Sequence, residues 1–279
     1  MNKPEKHKTD KKISVAIAGA AGKMGRMLTK AVNENPMVFL SAATCHPSEK
    51  EIEGNDAGLI AGIEPLGISV SSDPDNLLNS EVIIDFTSPK ATINHAEMAS
   101  KNNIAHVIGT TGLSENDEKT ISKFSLKTPI FYSANMSLGV NLLLAIVNDS
   151  VSKMGEDWDI EILEMHHKHK VDAPSGTALA LGKEAAKSLN KNFNDIAIYS
   201  RERIKGPRKS GEIGFAVLRG GSVVGDHTVI LSNGDERIEL SHKAGDRSIF
   251  ATGAVKAALW VVNQNPGLYS MKNILQNSL

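Results

Sequence analysis

The chain has 279 residues, with 31 Lys and Arg against 32 Asp and Glu, and a formal net charge of −1. This length allows a large core and favours two domains over one. A charge so near zero argues against a nucleic-acid-binding protein that depends on long-range attraction. The single cysteine, Cys45, excludes an internal disulfide and any zinc or iron–sulfur site with several cysteine ligands.

Neither the amino terminus nor the most apolar segment predicts export or membrane insertion. The first twelve residues, MNKPEKHKTDKK, are polar and basic and lack the apolar run of a signal peptide, so we expect a frayed tail. The most apolar stretch, VNLLLAIV at 140–147, is far shorter than the roughly 20 residues that cross a bilayer. We therefore expect a soluble, cytoplasmic protein.

From Ile13 to Phe131 the chain alternates short apolar runs with helix-like segments. The runs are rich in β-branched residues and lack polar alternation, which is typical of strands buried on both faces of a parallel sheet. They are ISVAIAG (13–19), MVFLSAA (37–43), EVIIDFT (81–87), IAHVIGTTG (104–112) and PIFYSAN (129–135), with helices predicted at KMGRMLTKAVNEN, TINHAEMASKN and ENDEKTISKF. This order predicts right-handed βαβ crossovers and a Rossmann-type doubly wound parallel sheet.

The pattern changes after about residue 135 and predicts a second, α+β domain. Several of its strands alternate polar and apolar residues and end in glycine turns, so we expect a mainly antiparallel sheet. Asn233, Gly234 and Asp235 predict a hairpin turn. The expected elements are a helix at 138–153, a strand at 159–167, a helix at 177–189, strands in GEIGFAVLRGG, VVGDHTVILSNG and DERIELSHKAG, and a helix at 248–264.

A glycine-rich turn follows the first predicted strand. Its G-x-x-G-x-x-G pattern is a relative of the dinucleotide fingerprint. Small residues are needed because the chain turns sharply, approaches a pyrophosphate closely and packs the helix on its strand, while the N–H groups of the helix hold the phosphates. We predict a dinucleotide site here; a tight turn without a ligand is the alternative. The predicted contacts are Gly19, Ala20, Gly22, Lys23, Met24, Gly25 and Arg26.

The end of the second predicted strand bears on the choice of cofactor. An acidic residue that binds the ribose hydroxyls is expected there, but the chain has Cys45 and His46. Lys23 and Arg26 in the turn, with His46 and Lys50, could instead meet a 2′-phosphate. The pattern therefore favours NADPH over NADH, although Lys23 and Arg26 on a solvated helix face remain an equal alternative.

GTTG at 109–112 ends another predicted strand on small residues. In an open α/β sheet, ligands lie beyond the carboxyl ends of the strands. The backbone carbonyls of this loop could meet the carboxamide of a nicotinamide, but an ordinary loop is the alternative.

The segment EMHHKHKVDAPSGTA (164–178) concentrates the charged and titratable residues of the second half. Ser175 is predicted to cap a helix, and Pro174 stiffens its entry. The N–H groups around Gly176 and Thr177 then form an anion site, to which Lys170 adds a positive charge. An anion held in this way is most simply a carboxylate or a phosphate.

Three histidines in this segment raise the alternative of a metal site. His166 and His169 have i, i+3 spacing, but they lie where a strand runs into a loop. Asp172 and Glu164 could supply oxygen ligands, yet no zinc pattern is present, so we expect no metal. A charged surface loop is the other alternative. Because the first domain is predicted to hold a hydride donor, we favour a pocket in which His and Lys position and protonate an anionic substrate.

Together these motifs resemble the 4-hydroxy-tetrahydrodipicolinate reductase family, also called dihydrodipicolinate reductase, of the diaminopimelate route to lysine. The resemblance runs from about Ile13 to the carboxyl terminus; its most specific segment is EMHHKHKVDAPSGTA and its least specific is the glycine turn. The segments that carry it are VAIAGAAGKMGRML, IDFTSP, VIGTTG, SANMSLGVN, EMHHKHKVDAPSGTA and IGFAVLRGGSVVGDHTV.

The resemblance implies NADH or NADPH in the first domain and a cyclic dicarboxylate in the second. It also implies that the last helix returns to the cofactor domain. The dinucleotide-binding domain would then comprise 1–135 with 248–279, and 136–247 would form the substrate-binding and oligomerisation domain. Many members of the family are homotetramers built through that second domain.

Matching positions imply roles for individual residues. His166 would be the proposed acid, and Lys170 the substrate-binding cation and possible proton donor. His167, Gly176 and Thr177 would hold the substrate carboxylates. The nicotinamide would be lined by Gly109, Thr110, Thr111, Ala134, Asn135 and Met136. Two segments depart from the family pattern: many members have an acidic residue and Arg where this chain has Cys45 and His46, and Phe where it has Met136.

The expected reaction is hydride transfer from NAD(P)H to the ring of 4-hydroxy-tetrahydrodipicolinate, completed by a proton from the protein. One alternative is another nicotinamide-dependent semialdehyde or amino-acid dehydrogenase of the same architecture. The other is a non-catalytic cofactor-sensing regulator. The His and Lys cluster argues against both, because a sensor needs no proton donor and another dehydrogenase would have a different pocket.

Overall fold

The structure, a computed structural model, describes residues 11–202 and 204–276. It divides into two compact units. One contains the described part of Met1–Met136 and Phe250–Leu279, and the other the described part of Ser137–Ile249. Within the described ranges, no helix is both long and apolar enough to cross a membrane.

The first unit begins with alternating strands and helices. A 3-10 helix at Pro74–Leu78 lies before β4. The strands and helices are β1 (Ile13–Ala18), α1 (Lys23–Glu34), β2 (Val38–Thr44), α2 (Ala57–Ala61), β3 (Val70–Ser71), β4 (Val82–Asp85), α3 (Pro89–Asn102), β5 (Ala105–Ile108), α4 (Glu115–Phe124) and β6 (Pro129–Tyr132).

The second unit follows, and the chain then returns to the first. A 3-10 helix at Gly155–Asp157 precedes β7. The elements of the second half are α5 (Leu138–Met154), β7 (Asp159–His166), α6 (Gly176–Ser188), α7 (Phe193–Ile196), β8 (Ala197–Ile198), β9 (Ile213–Arg219), β10 (Gly225–Ser232), β11 (Arg237–Ala244), α8 (Ser248–Val261), β12 (Gly267–Tyr269) and α9 (Met271–Gln276).

The first unit is built on a parallel sheet of seven strands in the order β12-β6-β5-β4-β1-β2-β3. The chain runs outward from β1 to β3, returns to β4 beside β1, and runs outward again to β6. The central strands β4 and β5 are buried along their whole length, because helices cover both faces of such a sheet. The doubly wound parallel fold predicted from the apolar runs is therefore confirmed.

Two strands of this sheet were not predicted from the sequence. β3 has two residues and β12 has three, which is too short for an apolar run to form. β12 pairs in parallel with β6, so the segment after α8 adds the outer strand on that side.

The second unit has a mixed sheet in the order β11-β10-β7-β9-β8. Strands β11, β10 and β7 pair antiparallel, as expected, and β10 and β11 form the predicted hairpin around Asn233. The parallel pairing of β7 with β9 was missed. It arises because α6 lies between these strands in the chain, and a crossover helix brings the next strand alongside in the same direction. One face of the sheet packs against α5 and α6 through Ile160, Ile162, Phe215 and Val229.

Candidate active site

The three glycines after β1 meet three different structural demands. Gly19 has a φ of 75°, in the left-handed region that a sharp turn requires. Gly22 is the N-cap of α1 and makes no side-chain cap hydrogen bond, which keeps the start of the helix accessible to an anion. A Cβ on Gly25 would lie 2.1 Å from the Gly19 carbonyl oxygen, so the helix packs on the turn only because this residue lacks a side chain.

A cavity of about 400 Å³ opens beside this turn, at the carboxyl ends of β2 and β4. Its lining includes Gly19, Gly22, His46, Glu49 and His95. This is the point where the strand order reverses, and ligands of doubly wound folds bind there. The cavity, the uncapped helix and the close approach of Gly25 together fit a dinucleotide.

The buried carboxylate of Asp85 ties the loops beyond β4 and β5 together. Its Oδ1 accepts hydrogen bonds from the backbone N (3.0 Å) and hydroxyl (2.6 Å) of Thr87, and its Oδ2 lies 2.7 Å from Nδ1 of His95. The Thr110 hydroxyl oxygen accepts from Thr87 N at 3.0 Å. Burial alone would raise the pKa of Asp85, but the imidazole of His106, whose Nε2 lies 3.5 Å from Oδ2, and the hydrogen bond with His95 hold it below its usual range. The Thr110 side chain is therefore buried against the segment that follows β4.

The residues predicted to line a nicotinamide lie at the same edge of the sheet. Gly109 follows β5, and a Cβ there would lie 2.2 Å from the ring of Phe86. Ala134 and Asn135 follow β6, the neighbouring strand, and Thr111 and Ala134 are exposed. Met136 is 1% exposed, so its side chain packs inside this unit.

In the second unit, β7 carries an acid and a histidine on its core-facing side. Its buried positions are Ile160, Ile162, Glu164 and His166, which alternate along the strand. Oε2 of Glu164 lies 2.6 Å from Nδ1 of His166. The guanidinium of Arg219 donates to both oxygens of Glu164, at 2.8 and 3.0 Å.

These contacts fix the hydrogen-bonding roles of both partners. Burial alone would raise the pKa of Glu164, but hydrogen bonds from Arg219, from His166 and from the backbone N of Ser175 outweigh it and hold the pKa below its usual range. An ionised carboxylate only accepts hydrogen bonds, so we assign the Nδ1 proton of His166 to this contact. The other nitrogen, Nε2, is then the one available to exchange a proton with a substrate.

His227 packs against this pair. Its ring centroid is 5.1 Å from that of His166, and its Nε2 lies 2.9 Å from the Ser175 hydroxyl. Burial, followed by the nearby charge of His166, lowers the pKa of His227 to about 4. At neutral pH, His227 is therefore a neutral hydrogen-bonding partner of Ser175.

The loop after β7 supplies the cations. Nζ of Lys170 lies 2.7 and 2.8 Å from the two carboxylate oxygens of Asp172, and this hydrogen bond lowers the pKa of Asp172. The carbonyl of Asp172 accepts from Arg219 at 2.6 Å, so the same arginine holds β7 and the loop. Nη2 of Arg247 lies 3.1 Å from Nε2 of His167, and partial burial and the Arg247 charge lower the pKa of His167.

Helix α6 begins beside this loop, as the sequence predicted. Ser175 is its N-cap, and its hydroxyl accepts from the backbone N of Ala178 at 3.2 Å. Gly176, in the first turn, is exposed, and a Cβ there would meet no atom within 4 Å. The first turn at Gly176 and Thr177 therefore has room for an anion. Across the described residues, no group of three or more His, Cys, Asp or Glu side chains is arranged to hold a metal ion.

Comparison with known proteins decides the family. A sequence model of the amino-terminal part of dihydrodipicolinate reductase matches residues 13–136, and one of its carboxyl-terminal part matches residues 139–275. The chain belongs to the dihydrodipicolinate reductase family. The resemblance stated from the motifs is thereby confirmed.

Relatives match this reductase over nearly its whole length. The 4-hydroxy-tetrahydrodipicolinate reductase of Agrobacterium fabrum (strain C58) is 48% identical over 265 residues, which cover 94% of this chain and 96% of that protein. The protein of the same name from Rhodopseudomonas palustris (strain BisB18) is 49% identical over 260 residues, covering 93% and 96%. A dipicolinate-bound dihydrodipicolinate reductase from Paenisporosarcina sp. TG-14 shares the fold, with a TM-score of 0.76, 23% identity and coverage of 94% and 99%.

Three site residues of this family member were not predicted from the sequence. Arg219 is paired with His166 in the register of β7 and β9, and could not be placed while that parallel pairing was unknown. His227 and Arg247 come from later elements and join the cluster only through the fold. Glu164 had a readable signal, because an acid at a core-facing position of an alternating strand needs a buried partner.

Proposed function

We propose that this protein catalyses the NAD(P)H-dependent reduction of 4-hydroxy-tetrahydrodipicolinate to tetrahydrodipicolinate and water in lysine and diaminopimelate biosynthesis. The substrate takes up a hydride and a proton, and its 4-hydroxyl group leaves as water. The observation that carries the proposal is the arrangement at the end of β7, where an imidazole held by a buried carboxylate is followed by an ammonium and a helix N-terminus. A proton donor beside two anion-binding groups suits an unsaturated cyclic dicarboxylate. Relatives at 48% and 49% identity are named for this activity.

The first unit provides the groups for a dinucleotide. NAD(P)H, when bound, supplies the hydride. The start of α1 at Gly22 would hold the pyrophosphate, and the cavity that includes His46 and Glu49 would take the adenosine ribose. The loops at Gly109 and Ala134 would lie against the nicotinamide, and the network of Asp85 fixes the first of them.

The second unit handles charge and protons. Lys170 and the first turn of α6 bind the carboxylates of the substrate, with His167 assisting. His166 holds a proton at Nε2 for transfer to the reduced ring system, because Nδ1 is engaged with Glu164. A regulator that only senses the cofactor would have no need of this donor, which is why we favour an enzyme over a sensor.

The activity is tested by generating the substrate in situ. A synthase, pyruvate and aspartate semialdehyde are combined with the protein, and NADH or NADPH oxidation is followed at a wavelength of about 340 nm, where reduced nicotinamides absorb. We expect oxidation that depends on both the synthase and this protein. Omitting the synthase is the control for unspecific oxidation. No oxidation above that control with either cofactor would refute the proposed activity.

The preference between cofactors depends on the residues that line the ribose end of the cavity. The sequence favoured NADPH because of Lys23, Arg26, His46 and Lys50. His46 lines the cavity, but Arg26 donates its Nε proton to the carbonyl of Ala21 at 2.9 Å, and Lys23 and Lys50 lie exposed outside its lining. Glu49 brings a carboxylate into the cavity beside His46. We propose that both cofactors are used and that Glu49 disfavours a 2′-phosphate.

Replacing Glu49 by glutamine tests this proposal. Removing one negative charge a few ångströms from a phosphate is worth about 1 kcal/mol in a wet site, so the ratio of kcat/KM for NADPH to that for NADH should rise about fivefold. Glu51→Gln is the matched control, because Glu51 is exposed and lies outside the cavity lining. An equal ratio in the parent and the Glu49 variant would remove Glu49 from cofactor choice.

We also propose that the protein assembles as a homotetramer through the outer face of the five-stranded sheet. That face is opposite α5 and α6 and carries Leu163, Met165, Leu218 and Ile230, and Leu218 is 47% exposed. Sedimentation velocity at micromolar concentration should give a species of four chains. A monomer under those conditions would contradict this assembly. The cytoplasmic location expected from the sequence stays a prediction.

A further inference from the structure

We propose that Glu164 is the positioning residue of the reduction site, holding the proton donor His166 with one carboxylate oxygen and the anion-binding start of α6 with the other. This inference rests on the proposed function, because it assigns a role within the same site. Glu164 itself would not touch the substrate. It would act through His166 and the start of α6, which do.

The two oxygens of Glu164 serve different elements. Oε2 lies 2.6 Å from Nδ1 of His166, at the end of β7. Oε1 accepts from the backbone N of Ser175 at 3.0 Å, and Ser175 is the N-cap of α6. A displacement of this carboxylate would therefore move the imidazole and the helix N-terminus together.

Glu164 is itself held without freedom to rotate. Its side chain has no exposed surface, and the two-pronged contact with Arg219 fixes the plane of the carboxylate. Arg219 also holds the carbonyl of Asp172, in the loop that carries Lys170. Through one arginine, the carboxylate is thus connected to the third group of the site, the Lys170 ammonium.

The carboxylate also sets the electrostatic environment of His166. The charged and titratable groups around this imidazole are Glu164 on its own strand, Arg219 on β9, His227 on β10, and His167, Lys170 and Asp172 in the loop. Glu164 is the group in direct contact with the donor's ring, at 2.6 Å from Nδ1. Glu164→Gln therefore removes the charge that this ring contacts.

The test uses Glu164→Gln, which keeps the shape of the side chain and removes its charge. We expect kcat to fall on the order of 10²-fold, because a misoriented proton donor loses most of its effect. A residue that served only stability would leave kcat per folded protein unchanged.

The chain offers a matched control on the same strand. Glu161 lies on the opposite face of β7 and pairs with Arg201 at 3.0 Å and Arg208 at 3.5 Å. Glu161→Gln makes the same chemical change, and we expect the kcat of the parent. Thermal unfolding of both variants shows whether either change alters the folded fraction. Arg219→Lys, which keeps the positive charge, is the second variant and should give an intermediate loss of kcat.

An activity-independent measurement separates this inference from the proposed function. In protein labelled with 15N-histidine, the resonances of His166 are assigned by their loss in His166→Gln. The parent should show an Nδ1 proton in a strong hydrogen bond, and Glu164→Gln should lose that signal. A parent with the signal but no reductase activity would refute the proposed function and leave the positioning role. A folded Glu164→Gln protein with parental kcat and Nδ1 signal would overturn the positioning role.

Discussion

Replacing Lys170 by alanine is expected to lower kcat/KM by about 10²- to 10⁴-fold, the range for loss of a positioned proton donor or charge partner. The structure supplies a second reason for a large effect. Nζ of Lys170 is hydrogen-bonded to both oxygens of Asp172, and that carboxylate would remain without its ammonium beside a dicarboxylate substrate. Steady-state kinetics with the coupled substrate supply measures the loss.

Two further variants separate a role of Lys170 in binding the substrate from a role in donating a proton. Lys170→Arg keeps the charge but cannot release a proton near neutral pH, so a binding role predicts a small change in kcat/KM and a proton-donor role predicts a large loss of kcat. Lys168→Ala makes the same truncation two residues earlier, at an exposed side chain that we regard as a bystander. We expect its kcat/KM to stay near that of the parent. An unchanged rate in Lys170→Ala would remove Lys170 from the mechanism.

The sequence of residues 164–178 predicted the chemical character of the site, but it did not predict how its side chains are oriented. The residue types and the helix start at Ser175 are local features, so the pattern from 164 to 178 indicated an anion site directly. The partners that orient the cluster come from β9 and β10, and they depend on pairings between strands far apart in the chain. The parallel register that brings Arg219 beside His166 had no local signal, because the sequence of β9 is compatible with either parallel or antiparallel pairing.

In the first unit, too, the sequence predicted some features and not others. Buried β4 and β5 are apolar along their length, so their parallel arrangement followed from composition. The contacts of single polar residues did not follow from composition. Thr110 was predicted as a cofactor contact, but its hydroxyl is hydrogen-bonded to Thr87 and Thr92, inside the protein. For Arg26 the sequence left a contact with a 2′-phosphate and a solvated helix face as equal alternatives, and the side chain donates to the carbonyl of Ala21. Neither contact can be read from spacing.

Replacing Gly25 by alanine is expected to abolish nucleotide binding and to destabilise the first unit by about 3 kcal/mol or more. The new Cβ would lie 2.1 Å from the carbonyl oxygen of Gly19 and 2.6 Å from Cα of Ala20. Both are backbone atoms of the turn itself, so no side chain can move aside. The helix must shift away from β1, and the turn that would hold the pyrophosphate shifts with it. Thermal unfolding and a fluorescence titration with NADH measure the two effects.

Gly22→Ala is the matched control, because it adds the same methyl group to the same turn. Its Cβ would lie 3.4 Å from the Gly19 carbonyl oxygen, and its φ of −69° suits any residue. We therefore expect the Gly22 variant to unfold at nearly the parental temperature. Its affinity for NADH should still fall, since a methyl group at the helix start obstructs close approach of the pyrophosphate. The two glycines would then have different roles. Gly25 would be needed for both stability and NADH binding, and Gly22 for NADH binding alone. A Gly25→Ala protein with parental stability and NADH affinity would show that α1 can move without cost and would refute this account of the turn.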